Sequence, residues 1–146
     1  AADPGAYYAY GDQGWIRLLR GDLTGTRASA ESALRFSPPG YASGGEALMA
    51  AVEARAGDTV AARARLDRVT RGLSNPDRPG VYDGLNAAMG YAQIGDRRRA
   101  LDIIERVAPR GILLWSYLQA PQFDPIRDDP RFQRLLGELR PPGVTR

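Results

Sequence analysis

The side chains from which this chain could build chemistry are few. Among its 146 residues there is no histidine and no cysteine. It therefore lacks the usual general base, the commonest transition-metal ligand and every thiolate. Hydrolysis would fall to carboxylates such as Asp83 or Asp124, helped only by tyrosines and arginines. Asp124, Asp128 and Asp129 cluster as metal ligands do, yet Asp124 and Asp129 each precede a proline, as helix caps do, and capping is the reading they support. Arg97-Arg98-Arg99 is the one basic run. It stands at a predicted helix N-terminus, where the dipole disfavours cations, so it is either a contact for a phosphate or acidic partner or a solvated face beside Asp96 and Asp102. No Gly-rich phosphate loop, Ser-His-Asp set or metal-ligand spacing occurs. The expectation is a chain without catalysis, with no cofactor and no metal.

Charge narrows the partners. The formal net charge is +3, all twenty basic residues are arginine, and they are spread along the chain. Nucleic-acid binders concentrate positive charge on one face or arm, so no direct nucleic-acid contact is expected. No run approaches the ~20 apolar residues of a membrane span, and the N-terminus carries neither the basic nor the apolar region of a signal peptide. A cytoplasmic protein is the expectation, with an exported form after signal cleavage as the alternative. The length suits one domain with a sizeable core.

The elements that must carry any site announce themselves by repetition. Gly-Asp recurs at Gly21-Asp22, Gly57-Asp58 and Gly95-Asp96, 36 and 38 residues apart. Each pair follows one helical pattern and opens another, with Gly as a positive-φ C-cap and Asp as the next N-cap. A two-helix period of that length predicts an all-α helical-hairpin repeat of solenoid type. The helices read as 7–20, 23–36, 46–56, 60–71, 81–94 and 97–107, grouped into units at 7–40, 43–75 and 79–109 within a single domain, 1–146. Gly11 and Gly14 weaken the first helix by roughly 1 kcal/mol each relative to Ala. Residues 1–6 form a lead-in in which Asp3-Pro4 can cap, and 74–80 form a turn-rich joint. The closing segment, 110–140, starts with an apolar stretch at 112–120 whose Trp115 and Tyr117 read as a plug at the end of the stack. Asp129-Pro130 then opens a short amphipathic helix bearing Phe132, Leu135, Leu136 and Leu139, and 141–146 reads as a flexible tail.

The units resemble tetratricopeptide repeats. In the third, Ala88 and Tyr91 fall on the small and aromatic places of the first helix, Gly95-Asp96 on the turn and Ala100 on the small place opening the second helix. The first unit matches through Gly14, Gly21-Asp22, Ala33 and Pro38, and the second through Ala50, Gly57-Asp58 and Ala62. Departures stand at Arg17 and Glu53, on the aromatic place, and at Thr26. FDPIRDDPRFQRLL, residues 123–136, looks like the closing segment of repeat arms at the C-termini of bacterial multidomain regulators.

The resemblance implies a groove formed by the first helix of each unit and a role in binding a partner protein or peptide, as a scaffold or regulatory arm. Matched by position, the groove presents Tyr8, Trp15, Leu18 and Leu19, then Ala47, Ala51, Ala54 and Arg55, then Tyr82, Leu85, Met89 and Gln93. An apolar, aromatic groove suits an amphipathic helix or an extended apolar segment. Clamping an acidic chaperone C-terminus is not implied, since only Arg55 could serve. For Trp15, Leu18 and Leu85 the other reading is core. Self-association into a homo-oligomer, through the apolar closing segment or an open N-terminal end, is the alternative function.

Overall fold

The computed structural model describes residues 5–73, 80–108 and 114–144. The Asp3-Pro4 cap, most of the joint at 74–80, the start of the closing segment and the last two residues lie outside them. Every regular element among the described residues is helical. Three hairpins follow one another: α1 (Ala6–Leu19) with α2 (Leu23–Phe36), α3 (Ser43–Arg55) with α4 (Thr59–Gly72), and α5 (Val81–Gln93) with α6 (Arg97–Val107). They are followed by α7 (Leu114–Leu118), a 3-10 turn (Pro121–Ile126) and α8 (Pro130–Glu138).

Each Gly-Asp pair builds the same corner. Gly21, Gly57 and Gly95 have φ of 79°, 93° and 81°, a left-handed conformation open to glycine at no steric cost. The amide of the following Asp then donates back across the corner: Asp22 to the Arg17 carbonyl at 3.0 Å, and Asp58 and Asp96 to those of Glu53 and Tyr91 at 2.9 Å. The three Asp carboxylates accept from the backbone amides of Gly25, Ala61 and Arg99 at 2.8, 2.9 and 3.3 Å. Both sets of orphan groups are satisfied at once, which is why the motif specifies a tight helix-to-helix reversal.

The hairpins pack in series. α2 lies on α3 and α4 on α5, while α1, α3 and α5 lie side by side, α3 in the middle. That central place explains the composition of α3, whose run from Ala47 to Val52 is buried throughout. Small side chains allow the close approach: Ala47, Ala50 and Ala51 are fully buried. α1 runs unbroken through Gly11 and Gly14 despite their low propensity. At Gly14 the absence of a side chain has a use, because a Cβ there would lie 2.5 Å from Leu48 Cδ1.

Arg17, Glu53 and Tyr91, which hold equivalent positions five residues before each Gly-Asp aspartate, all tie their helix to a neighbour. Arg17 donates to the Gly25 carbonyl and Ser29 Oγ at 3.0 and 3.1 Å. Glu53 takes the Arg65 guanidinium on both carboxylate oxygens, at 3.1 Å from Nε, and Glu46 holds the same guanidinium from the other side. The Tyr91 hydroxyl donates to Asp67, which also accepts from Arg99 at 2.7 Å. Burial and that carboxylate push the Tyr91 hydroxyl up to about 12.

The arginines of the Arg97–Arg99 run each reach a carboxylate of the chain. Arg97 reaches Asp129 at 3.6 Å, Arg98 reaches Asp102 at 3.8 Å, and Arg99 bonds Asp67. Asp129 caps α8 by accepting from the Arg131 amide at 2.9 Å, and Asp124 accepts from Arg127 at 2.7 Å.

The closing segment differs from expectation in place and in detail. It is more than an end cap: the 3-10 turn packs on α5 and reaches α1, so the chain turns back over the face made by α1, α3 and α5. Arg127 braces this return by donating to the Ala120 carbonyl at 2.9 Å and the Gln119 carbonyl at 3.2 Å, at the end of α7. The plug is made by Leu114, Leu118, Phe123 and Ile126, none more than 2% exposed. Trp115 is only half-buried, and Tyr117 is 38% exposed. α8 buries Phe132, Leu135 and Leu136 as its spacing predicts, and it docks on α6 through Arg131, which reaches Glu105 at 2.7 Å and Asp102 at 2.8 Å. The described part of the tail, 141–144, is an exposed turn. No helix among the described residues is long and apolar enough to cross a membrane.

Candidate functional site

Where the C-terminal half of the α1-α3-α5 face would have offered a groove, the chain occupies it. Trp15, Leu18, Leu85 and Met89 are 5%, 1%, 2% and 7% exposed and belong to one core with Leu118, Phe123 and Ile126. Trp15, Leu18 and Leu85 thus take the core reading that the sequence also offered, and Met89, expected as groove surface, is core instead. Ala47 and Ala51 are likewise buried, and Leu19 stays 44% exposed.

The polar positions of the expected groove bond within the chain. Arg55 donates to the Leu18 carbonyl at 3.5 Å and to Gln93 Oε1 at 3.0 Å, and Gln93 Nε2 donates to the Gln122 carbonyl at 2.8 Å. This relay links α1, α3, α5 and the 3-10 turn. It holds the closing segment in place.

At the N-terminal half of the same face an accessible cleft of about 320 Å³ remains. α1 contributes Tyr8, Asp12 and Trp15, at the i, i+4, i+7 spacing of one helix side, together with Tyr7. α5 contributes Tyr82, Asp83 and Asn86, and Tyr41 comes from the loop between α2 and α3. Asn86 Nδ2 donates to Ser43 Oγ at 3.1 Å, fixing the floor. The rings are organised by mutual contact: Tyr7 and Tyr8 have centroids 4.0 Å apart, and Tyr7 meets Tyr41 edge-on at 6.3 Å. Tyr82 meets Tyr117 of the closing segment edge-on at 5.7 Å. The Tyr82 hydroxyl, burial and the nearby Asp12 carboxylate hold the Tyr117 hydroxyl above its ordinary pKa. Tyr8, Tyr41 and Tyr82 are 61%, 50% and 60% exposed, a concentration of accessible aromatic surface that marks interaction sites.

Of the predicted groove residues, the cleft thus brings together Tyr8, Trp15 and Tyr82. It leaves Leu18, Arg55, Leu85, Met89 and Gln93 outside its lining. It adds Tyr7, Asp12, Tyr41 and Asn86, which sequence reasoning missed. The Tyr7-Tyr8 pair was a signal for two of the rings, but Tyr41 sits in a loop with no periodicity to place it. Asp83 and Asp124, the carboxylates considered for hydrolysis, lie on different elements, Asp83 lining the cleft and Asp124 paired with Arg127. The arrangement of rings, carboxylates and an amide suits recognition. Compared with protein-family models, with curated proteins and with solved structures, the chain matches none.

Proposed function

We propose that this chain is a tetratricopeptide-like interaction module that binds a segment of a partner protein, without catalysis, its hairpins stacking as a short solenoid. The observation that carries the reading is the accessible tyrosine-lined cleft beside a face the chain has otherwise filled with its own closing segment. The partner would insert one or two side chains at the N-terminal ends of α1 and α5, since the rest of the face is occupied. A large aromatic surface around a small number of fixed polar groups is the make-up of a recognition site. Service as the regulatory arm of a larger bacterial protein is part of the proposal, on the resemblance of residues 123–136 to such closing segments. The test is a selection from a random peptide display library on the immobilised chain, with the bound position of selected peptides mapped by NMR. Peptides that shift Tyr8, Tyr41 and Tyr82 support the reading; peptides that bind only the α2-α4-α6 side refute it.

Self-association is the second reading, favoured by one observation: α1 leaves Ile16 and Leu19 51% and 44% exposed at the first hairpin. Sedimentation velocity over a hundredfold concentration range separates the two, because a constant monomer removes self-association.

A further inference from the structure

We infer that the outer edge of α1 pairs with the same edge of a second copy of this chain, the two α1 helices running antiparallel about a two-fold axis at Ile16. This deepens the self-association reading and rests on it. Counted from the Gly-Asp corners, Gln13 and Ile16 hold the places of Met49 and Val52 on α3 and of Ala87 and Gly90 on α5. All four of those later residues are buried, in helices that lie against the hairpin before them. Arg27 Nη1 of α2 donates to Met49 Sδ at 3.7 Å, and a Cβ added at Gly90 would lie 2.5 Å from Leu66 Cδ2 of α4. On α1, where no described helix precedes, the equivalent places are open. Gln13 is exposed, Ile16 is 51% exposed, and Leu19 and Arg20 continue the strip. The stacking surface used twice inside the chain thus reappears uncovered at its start.

The other end of the stack is closed. α6 buries Leu101, Ile103, Ile104 and Val107, and α8 docks on it through Arg131, paired with Glu105 and Asp102. A second copy therefore cannot add there as a further hairpin would, and the edges left to meet are two copies of the α1 edge, an isologous contact. That edge is self-complementary in charge. Asp12, Ile16 and Arg20 follow one another at four-residue steps along one side of α1, with Asp12 and Arg20 about 6 Å along the axis to either side of Ile16. Both charged residues are exposed, and Asp12 also lines the cleft. Turning a second copy end for end about Ile16 sets each Asp12 against Arg20 of the other copy and the two Ile16 side chains against each other. A parallel pair would instead set Asp12 on Asp12 and Arg20 on Arg20, an arrangement that like-charge repulsion disfavours.

Sedimentation velocity on the 146-residue chain is expected to show a dimer growing in between about 10 μM and about 1 mM, the weak regime of a small interface. Ile16→Glu places two carboxylates on the axis and should weaken the dimer by about tenfold or more. Asp12→Arg or Arg20→Asp alone leaves like charges in both cross pairs and should weaken it by about the same factor. An equimolar mixture of those two variants should recover the original dimer to within about threefold, because every cross pair is again opposite in sign. The chain has no cysteine, so Ile16→Cys should oxidise to a covalent dimer, whereas Val60→Cys, at a 79% exposed position on α4, should not. All four positions are exposed, and an unchanged melting temperature confirms that each variant folds. A constant monomer overturns both the pairing and the self-association reading, and leaves the edge to a helix of a different protein. A dimer that survives Ile16→Glu and gives no disulfide through Ile16→Cys overturns the pairing while self-association stands. A dimer that Ile16→Glu abolishes but that the charge-reversed mixture fails to restore overturns the antiparallel arrangement.

Discussion

Exchanging Gly11 and Gly14 for alanine, one at a time, puts the same chemical change into one helix three residues apart and is expected to stabilise only at Gly11. Alanine in a helix interior is favoured over glycine by about 1 kcal/mol. At Gly11 an added Cβ meets no heavy atom within 4 Å, so the propensity gain stands alone. Gly11→Ala should stabilise the chain by about 1 kcal/mol, a rise of roughly 3 °C in melting temperature for this size. At Gly14 the new methyl would lie 2.5 Å from Leu48 Cδ1, 3.4 Å from Leu48 Cδ2 and 3.3 Å from Ser29 Cβ. Leu48 is wholly buried, so it has little room to swing both methyls aside. Overpacking of this kind costs about 1–3 kcal/mol, which cancels or outweighs the propensity gain. Gly14→Ala should therefore be neutral to about 2 kcal/mol destabilising, and the two variants should differ by about 1–3 kcal/mol. Thermal and urea unfolding followed by circular dichroism measure both. If Gly14→Ala stabilises as much as Gly11→Ala, α1 and α3 do not meet through Gly14; if Gly11→Ala destabilises, the account of α1 fails.

The other expectations concern the closing segment, the ion-pair network and alkaline pH. Phe123→Ala, at a fully buried position, should cost about 3–5 kcal/mol in urea unfolding, whereas Tyr82→Ala, at a 60% exposed position, should cost less than about 1 kcal/mol. Equal costs would mean that the 3-10 turn is not part of the core. Arg65→Ala leaves Glu46 and Glu53, with side chains 25% and 17% exposed, without their shared guanidinium, and urea titration should show a loss of about 2 kcal/mol. Raising the Tyr91 pKa to about 12 means that the folded chain keeps a proton the unfolded chain sheds above its ordinary value near 10. Stability should therefore be intact below pH 10 and fall through pH 10–12, by on the order of 2 kcal/mol, and Tyr91→Phe should flatten that decline. An unchanged alkaline slope in Tyr91→Phe would remove Tyr91 as its source.

What the sequence determined by itself is the part of the fold written in short-range rules. Gly21-Asp22, Gly57-Asp58 and Gly95-Asp96 each satisfy helix ends with bonds spanning at most five residues, so the three reversals were legible without any tertiary knowledge. The stripe of α8 was legible for the same reason, since one face of one helix decides it. Residues 112–120 announced burial by their apolarity but not what they would cover. Only the assembled fold decided that, by packing the segment that follows them, the 3-10 turn, on α5 and against α1. The same docking turned Arg55 and Gln93 from prospective ligand contacts into internal braces. The cleft likewise gathers Tyr8, Tyr41 and Tyr82 from places 33 and 41 residues apart in the chain. No local pattern encodes such a meeting, because it depends on how three hairpins stack and where the last segment comes to rest.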